Sequence, residues 1–90
     1  ESAVRAEPPS WWVGMRDPQL QLLVSGPGVA ADHLELTLPP GVEARGERRL
    51  PSPNHRVVDL QLAPDAEAGE IVLRLRGAGG ERRVVVPLSA

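Results

Sequence analysis

Ser52, His55 and Asp59 are the residue types of a hydrolytic triad, and their spacing tests whether they could act as one. A serine nucleophile needs a histidine that reaches both the hydroxyl and a carboxylate through direct hydrogen bonds. The pattern from Arg56 to Leu62 predicts a strand, and residues four apart on a strand lie about 13 Å from each other. His55 and Asp59 would then be too far apart for a hydrogen bond, so the sequence predicts no triad.

Asp32 and His33 carry metal-binding side chains, but neighbouring residues of a strand point to opposite faces and no third ligand type lies close to them. A solvated turn is the preferred interpretation. The glycine-rich stretch 77–80 precedes a predicted strand, so it lacks the helix N-terminus of a phosphate-binding loop. The sequence also places no pair of aspartates across a cleft, as glycoside hydrolysis would require. We therefore predict no catalytic residue, metal or cofactor.

Recognition chemistry is concentrated in Trp11, Trp12 and Met15. These are the only tryptophans and the only methionine of a chain without phenylalanine or tyrosine. Adjacent side chains of an extended segment point to opposite sides, so one tryptophan should face inward and the other outward. Burial in the fold or against a neighbouring domain is favoured over sugar stacking, because large aromatic side chains mostly serve burial. Met15 is expected to fill a gap in the core or the interface.

Composition limits the class of protein. Ninety residues suffice for one domain, and the absence of cysteine excludes disulfides and thiolate chemistry. The ten basic residues are all arginine and the net charge is -2, so no basic field would attract nucleic acid or an anionic membrane. No apolar run reaches the roughly 18 residues of a membrane span. We interpret Arg48–Arg49 and Arg82–Arg83 as solvated faces balanced by Glu47 and Glu81.

Turn signals divide the chain into about seven short strands, and no long helical period is present. This pattern is typical of an antiparallel, immunoglobulin-like β-sandwich. His33–Leu38 alternates strictly, and the charges of Val42–Leu50 predict an exposed edge strand. Pro64–Gly69 is predicted to form a single helical turn. The predicted strands are Ala3–Glu7, Gln19–Val24, His33–Leu38, Val42–Leu50, Arg56–Leu62, Glu70–Arg76 and Glu81–Leu88.

The last two strands are predicted to form a hairpin. If their aliphatic faces pair inward, Val72 and Val85 meet on the outer face beside Arg74 and Arg83. Such an apolar patch indicates a surface covered by something outside the chain. The simpler alternative, which we prefer, is that two exposed valines were selected for β-propensity.

The stretch Pro9–Met15, followed by Leu20–Gly26, closely resembles the opening of the N-terminal domain of cyclomaltodextrinases and neopullulanases. Pro53–Leu60 is similar to that family's Pro-Asn-aromatic segment, with His55 where an aromatic residue is usual. Ala68–Ile71 is similar to its Ala-Gly turn. The resemblance covers essentially the whole chain, and the double-tryptophan block is its most specific part.

In that family the domain is an immunoglobulin-like sandwich that precedes an α-amylase-type barrel, and the barrel carries the catalytic carboxylates. The resemblance implies that residues 1–90 form a single non-catalytic accessory domain of an enzyme acting on cyclodextrin, pullulan or other α-glucans. Its implied partners are that barrel, a second copy of the chain, or an α-glucan. The alternatives are an α-glucan-binding module and a free-standing protein-interaction sandwich. The family and the missing initiator methionine imply a periplasmic or secreted protein.

Overall fold

The computed structural model describes residues 4–14, 16–78 and 80–90, so Met15 lies outside the described residues. The described part of the chain forms eight strands and a short 3-10 helix, Val29–Ala31, and contains no helix long and apolar enough to cross a membrane. The strands are β1 (Arg5–Glu7), β2 (Trp11–Trp12), β3 (Gln19–Ser25), β4 (His33–Thr37), β5 (Val42–Arg49), β6 (His55–Leu62), β7 (Gly69–Gly77) and β8 (Gly80–Ser89). The additional strand relative to the prediction is β2.

Two four-stranded sheets make up the structure, which confirms the predicted all-β sandwich. The first sheet has the order β1-β3-β6-β5 and the second has the order β2-β8-β7-β4. All neighbours are antiparallel except β2 and β8, which are parallel. Pro8 and Pro9 separate β1 from β2, and proline has no N–H to donate to a ladder. The N-terminal segment therefore leaves the first sheet after Glu7 and joins the second at Trp11.

The core lies between the sheets and is built from the alternate residues of the central strands. Its aliphatic character follows from the alternation of β6, β7 and β8, whose valines, leucines and isoleucine point inward at every second position. Removing such side chains from water stabilises the fold by about 1.5–3 kcal/mol for each large aliphatic group. The buried residues of these central strands include Leu20, Leu22, Val24, Val58, Leu60, Leu62, Ile71, Leu73, Leu75, Val86 and Leu88.

The edge strand β5 is exposed, as its charged sequence predicts. Only Val42 of its residues is buried, and the pairing with β6 shifts register between Ala44 and Gly46. A bulge and alternating charges both hinder pairing with another molecule. This side of the first sheet is therefore unsuited to strand addition.

The predicted helical turn at Pro64–Gly69 is wrong. The Ala66 N–H donates to the Ala63 carbonyl at 3.0 Å, which closes a tight turn, and β7 already begins at Gly69. Ala66 is buried against Gly41, where an added Cβ would approach the Ala66 Cα to 2.8 Å. This contact with a distant part of the chain determines the path of the segment.

Candidate functional site

The tryptophan end, which we define as Trp11, Trp12, Val13, Leu88 and Ser89, is positioned by the parallel pairing of β2 with β8. Trp11 lies opposite Leu88 and Trp12 opposite Ser89, and the Val13 N–H donates to the Ser89 carbonyl at 2.8 Å. This register turns Trp11 inward, where it packs against the core, and leaves Trp12 49% exposed. The predicted division into one inward and one outward tryptophan is confirmed.

The two indole rings also contact each other. Their centroids are 6.0 Å apart and their planes are inclined by 52°, a separation at which aromatic pairs attract. The buried Trp11 Nε1 has no acceptor among the described residues, a loss of about 1–3 kcal/mol. Apolar packing rather than hydrogen bonding therefore holds Trp11, and Trp11 in turn supports the exposed ring of Trp12.

The valine pair of the last hairpin lies on the outer face of the second sheet. Val72 is directly opposite Val85, and Arg74 is directly opposite Arg83, as the hairpin pattern predicts. Both valines are half-buried. Trp12 lies on the same outer face, because its partner Ser89 alternates in phase with Val85. The structure thus places three of the predicted contact residues on one face and Trp11 on the other.

An open cleft of about 350 Å³ lies between β1 and β8, next to this face. Its walls carry one acidic and one basic side chain, Glu7 and Arg5, on an otherwise largely apolar lining. Val85 contributes to the cleft, which makes the edge of the outer face concave. The arrangement offers apolar surface for binding and does not bring two carboxylates together.

At the opposite end of the sandwich, Arg82 is not solvated, contrary to the prediction for Arg82–Arg83. The Arg82 side chain is 12% exposed, forms an ion pair with Asp32, and donates to the Pro27 carbonyl at 2.8 Å. The Asp32 side chain is 7% exposed, so the solvated turn predicted there is also wrong. Arg82 alternates in phase with the inward Val84, which is why it points into the sandwich.

Arg56 is likewise buried, at 5% exposure, in phase with the inward residues of β6. It forms an ion pair with Glu47, including a 2.6 Å bond to Oε2. Its Nη1 also donates to the carbonyls of Val29 and Asp32, at 2.9 and 2.8 Å. Arginine presents several donors in a fixed geometry, which suits this set of acceptors.

A third arginine completes the contacts around the connection 26–32, which joins the two sheets. Arg49 donates to the Ala30 carbonyl at 2.8 Å. We call Arg49, Arg56 and Arg82, with their acceptors, the arginine end. The sequence did contain a signal for two of them, since Arg56 and Arg82 share the alternation of buried neighbours.

Residues 5–88 match the family model described as "Cyclomaltodextrinase, N-terminal". The chain belongs to this family. The match confirms the resemblance found around the double tryptophan and makes the chain a cyclomaltodextrinase N-terminal domain, which is the non-catalytic part of such enzymes. No curated protein matches the chain.

The fold of this cyclomaltodextrinase N-terminal domain is similar to that of a chain in the crystal structure of the titin M10–obscurin-like 1 Ig complex. The TM-score is 0.55 at 15% sequence identity, over 99% of this chain and 94% of that chain. Likeness at this identity concerns the fold alone, and it confirms the immunoglobulin-like architecture.

The three triad residue types of this cyclomaltodextrinase N-terminal domain do not come together, because Asp59 pairs with Arg48 and not with His55. His55 Nδ1 and Ser52 Oγ lie 2.8 Å apart, and the same Oγ accepts from the Asn54 N–H at 3.2 Å. Asp59 instead pairs with Arg48, with 3.3 Å between Asp59 Oδ2 and Arg48 Nε. Ser52 and His55 therefore shape the turn that enters β6. The described residues also contain no cluster of three or more metal-binding side chains.

Proposed function

We propose that this domain is an accessory module that docks on the catalytic barrel of an α-glucan-degrading enzyme through Trp12. Val72 and Val85 extend the apolar area on the same face. Docking of this kind would position the domain to support enzyme dimers or to shape access to the substrate cleft. The observation that carries the proposal is the exposure of Trp12 on the two-residue strand β2.

The energetic argument rests on the area that Trp12 leaves in contact with water. With 49% of the residue exposed, roughly 120 Å² of mostly apolar surface is available, and covering it would contribute about 3 kcal/mol. Tryptophan is among the residues that most often dominate binding energy at interfaces. Trp11 and the β2–β8 pairing hold the ring in place, so little conformational entropy would be lost on binding.

The test measures binding between this chain and a cyclomaltodextrinase barrel expressed without its own N-terminal domain. Trp12→Ala should weaken binding by about 10- to 100-fold, as expected for a central aromatic contact. Leu50→Ala is the matched control, because Leu50 is also a large exposed apolar residue, at 39% exposure, but follows β5 at the arginine end. Equal binding by the wild type and Trp12→Ala would contradict the proposal.

An α-glucan-binding module is the second candidate, and the exposed ring of Trp12 is the observation that favours it. Sugar rings stack on accessible aromatic faces, and Trp12 is the one aromatic side chain that the described residues expose by more than a third. The measurement is tryptophan fluorescence during titration with β-cyclodextrin and maltooligosaccharides, with iodide quenching as the control. A saturable change at millimolar sugar would support binding. No change, with iodide still reaching Trp12, would leave the docking proposal.

We also propose that the domain acts in the periplasm or outside the cell, as its family resemblance suggests. Fractionation of the source cells, followed by detection with an antibody against the chain, tests this setting. Recovery from the cytoplasmic fraction would contradict it. A free-standing protein-interaction sandwich is the remaining alternative, and a barrel that fails to bind the chain would favour it.

A further inference from the structure

We propose that the free edge of β4, together with the groove beside it, binds an extended peptide segment of a partner protein as an additional strand. The segment would carry apolar side chains at every second position and a basic side chain beyond them. This goes beyond the docking function, because it requires neither Trp12 nor a catalytic barrel. The two sites also lie at opposite edges of the second sheet, whose outer strands are β2 and β4.

β4 is the longest regular edge strand of the described chain. The other edge strands are β1 and β5 in the first sheet and β2 in the second. β1 and β2 have three and two residues, and β5 is charged and bulged. β4 has five residues, contains no proline and pairs with β7 without a shift in register. Short strands, proline, bulges and charges are the usual protection of an edge, so β4 is the edge best suited to accept a strand.

Every second residue of β4 directs its backbone N–H and C=O groups away from β7. This follows from the antiparallel pairing, in which successive residues of a strand turn alternately toward the partner and away from it. No turn, loop or side-chain hydrogen bond within the described ranges reaches the backbone of His33–Thr37. An extended segment beside β4 would pair with these groups, as in strand addition to an exposed sheet edge.

An apolar groove of about 260 Å³ lies beside this edge, between β4 and β5. Leu34 and Leu36 point into it, since each lies opposite a buried leucine of β7, yet both remain half-buried. The groove is open because β5 presents small residues there: Ala44 is exposed, and a Cβ added at Gly46 would meet no atom within 4 Å. Alternate side chains of an added strand would fill the groove, because they repeat at the same spacing of about 7 Å as the two leucines.

The charge of the groove specifies the partner further. Glu47 is the one ionised residue among those that line the groove, and its side chain is 37% exposed. Arg56 bonds both Glu47 and the Asp32 carbonyl, which places Glu47 beyond Leu34, next to the start of β4. A carboxylate accepts about four hydrogen bonds, and charge-assisted bonds are the strong ones. A lysine or arginine at this end of the segment would therefore complement the groove.

The outer side of the same edge already has its charge balanced. Glu35 lies directly opposite Arg74 and forms an ion pair with Arg76. Neutral polar side chains are therefore expected on the outward positions of the segment. The paired length is about 17 Å, so the contact is smaller than a standard protein interface and binding should be weak and reversible.

The test is an amide NMR titration of the whole chain with the synthetic peptide Lys-Thr-Val-Thr-Val-Thr-Lys, blocked at both termini. The valines would face the groove and the threonines would face outward. A lysine at each end reaches Glu47 whichever way the peptide runs. We expect saturable shifts of the amides of His33–Thr37 and of residues 44–47, with a dissociation constant on the order of 0.1 mM.

Two N-methylated peptides distinguish strand addition from simple apolar binding. Only every second N–H of an added strand faces β4, so methylating both valine amides and methylating the threonine amides before them should have unequal effects. One peptide should bind at least about 10-fold more weakly, and the other should bind within about 3-fold of the parent peptide. Replacing both lysines by glutamate should weaken binding by about 10-fold.

Ala44→Phe should fill the groove and weaken binding of the peptide by at least about 10-fold. Ala68→Phe is the matched control, because Ala68 is also an exposed alanine but does not line the groove, and it should bind as the wild type does. Circular dichroism checks that both variants are folded. If Ala44→Phe does not fold, the two methylated peptides decide the question on the wild type.

Three results would overturn the proposal: no binding to the wild type up to about 5 mM peptide, equal binding of the two methylated peptides, or unchanged binding to folded Ala44→Phe. Shifts of the β4 amides that depend on protein concentration alone would also overturn it, by showing that a second copy occupies the edge. Trp12→Ala should bind the peptide as the wild type does. Failure of strand addition would thus leave the test of barrel docking through Trp12 unaffected.

Discussion

The tryptophan end and the arginine end differ in whether their side chains find partners within the chain. At the tryptophan end, a large apolar ring remains half exposed on a strand of two residues. At the arginine end, two charged side chains are turned inward and bonded to acids and carbonyls of the same chain. The arginine end therefore has its charged side chains paired internally, although Arg82 Nε has no acceptor among the described residues, whereas the tryptophan end keeps apolar surface available for a partner.

This difference separates residues that maintain the fold from residues that are free to bind. A buried charge without a partner is strongly unfavourable, so the contacts of the arginine end must form together. An exposed apolar ring costs much less and is stabilised when another molecule covers it. We therefore expect substitutions at the arginine end to lower the free energy of unfolding, and those of Trp12 to change binding instead.

The largest effect on stability is expected for Arg56→Met. It removes the donors to Glu47 and to the carbonyls of Val29 and Asp32. Breaking a buried pair from one side typically costs about 3–5 kcal/mol, which is a large part of the stability of a small domain. Urea unfolding measures the change. The control is Arg48→Met, whose pair with Asp59 is largely solvated and should contribute less than about 1 kcal/mol. Similar losses of stability for both variants would show that burial gives the Arg56 contacts no greater weight than an exposed ion pair.

A smaller loss is expected for Asp32→Asn, which keeps the shape of the side chain but removes its charge. Arg82 would then lack its carboxylate partner in a nearly buried position, at a cost of about 2–3 kcal/mol. The matched control is Glu35→Gln, which removes an exposed pair with Arg76. Combining Asp32→Asn with Arg82→Gln should cost less than the sum of the single changes, since the two residues interact directly. Strict additivity in urea unfolding would mean that the pair contributes nothing.

The sequence predicted the tryptophan end and the outer face better than the arginine end, for a physical reason. Alternation within one strand determines which side chains share a face, and it correctly paired Val72 with Val85. Burial of Arg56 and Arg82 depends in addition on acceptors supplied by the connection 26–32. Their alternation with buried neighbours was visible in the sequence. Arginine is rarely buried, however, so the residue type favoured an exposed position.

Other differences also came from contacts between distant parts of the chain. Which tryptophan faces inward depends on the register with Leu88 and Ser89, near the other end of the sequence. The helical turn predicted at Pro64–Gly69 fails because Ala66 packs on Gly41. Local sequence patterns predicted the strands and their faces. The contacts made by residues at the ends of the strands could be identified only from the folded structure.

Within the tryptophan end, substitution of Trp11 should lower stability, whereas substitution of Trp12 should mainly weaken binding. Trp11→Ala removes a ring that packs against the core and should cost about 2 kcal/mol, less than for a fully buried tryptophan. Its loss should also reduce binding through Trp12, because the exposed ring loses its support. Urea unfolding measures the change in stability, and binding to the isolated barrel measures the second effect. A Trp11→Ala variant as stable as the wild type would contradict the inward assignment.

The smallest change in stability is expected for Trp12→Ala, at below about 1 kcal/mol, since about half of that side chain already contacts water. Leu50→Ala, at the arginine end, should be similarly neutral in urea unfolding. The two variants should nevertheless differ in recognition, because Trp12 shares its face with Val72 and Val85, whereas Leu50 follows a charged and bulged edge strand. If both variants bind a barrel or an α-glucan as the wild type does, exposure alone does not mark the functional surface. If only Trp12→Ala is defective, the end that leaves its apolar surface uncovered is the end that binds.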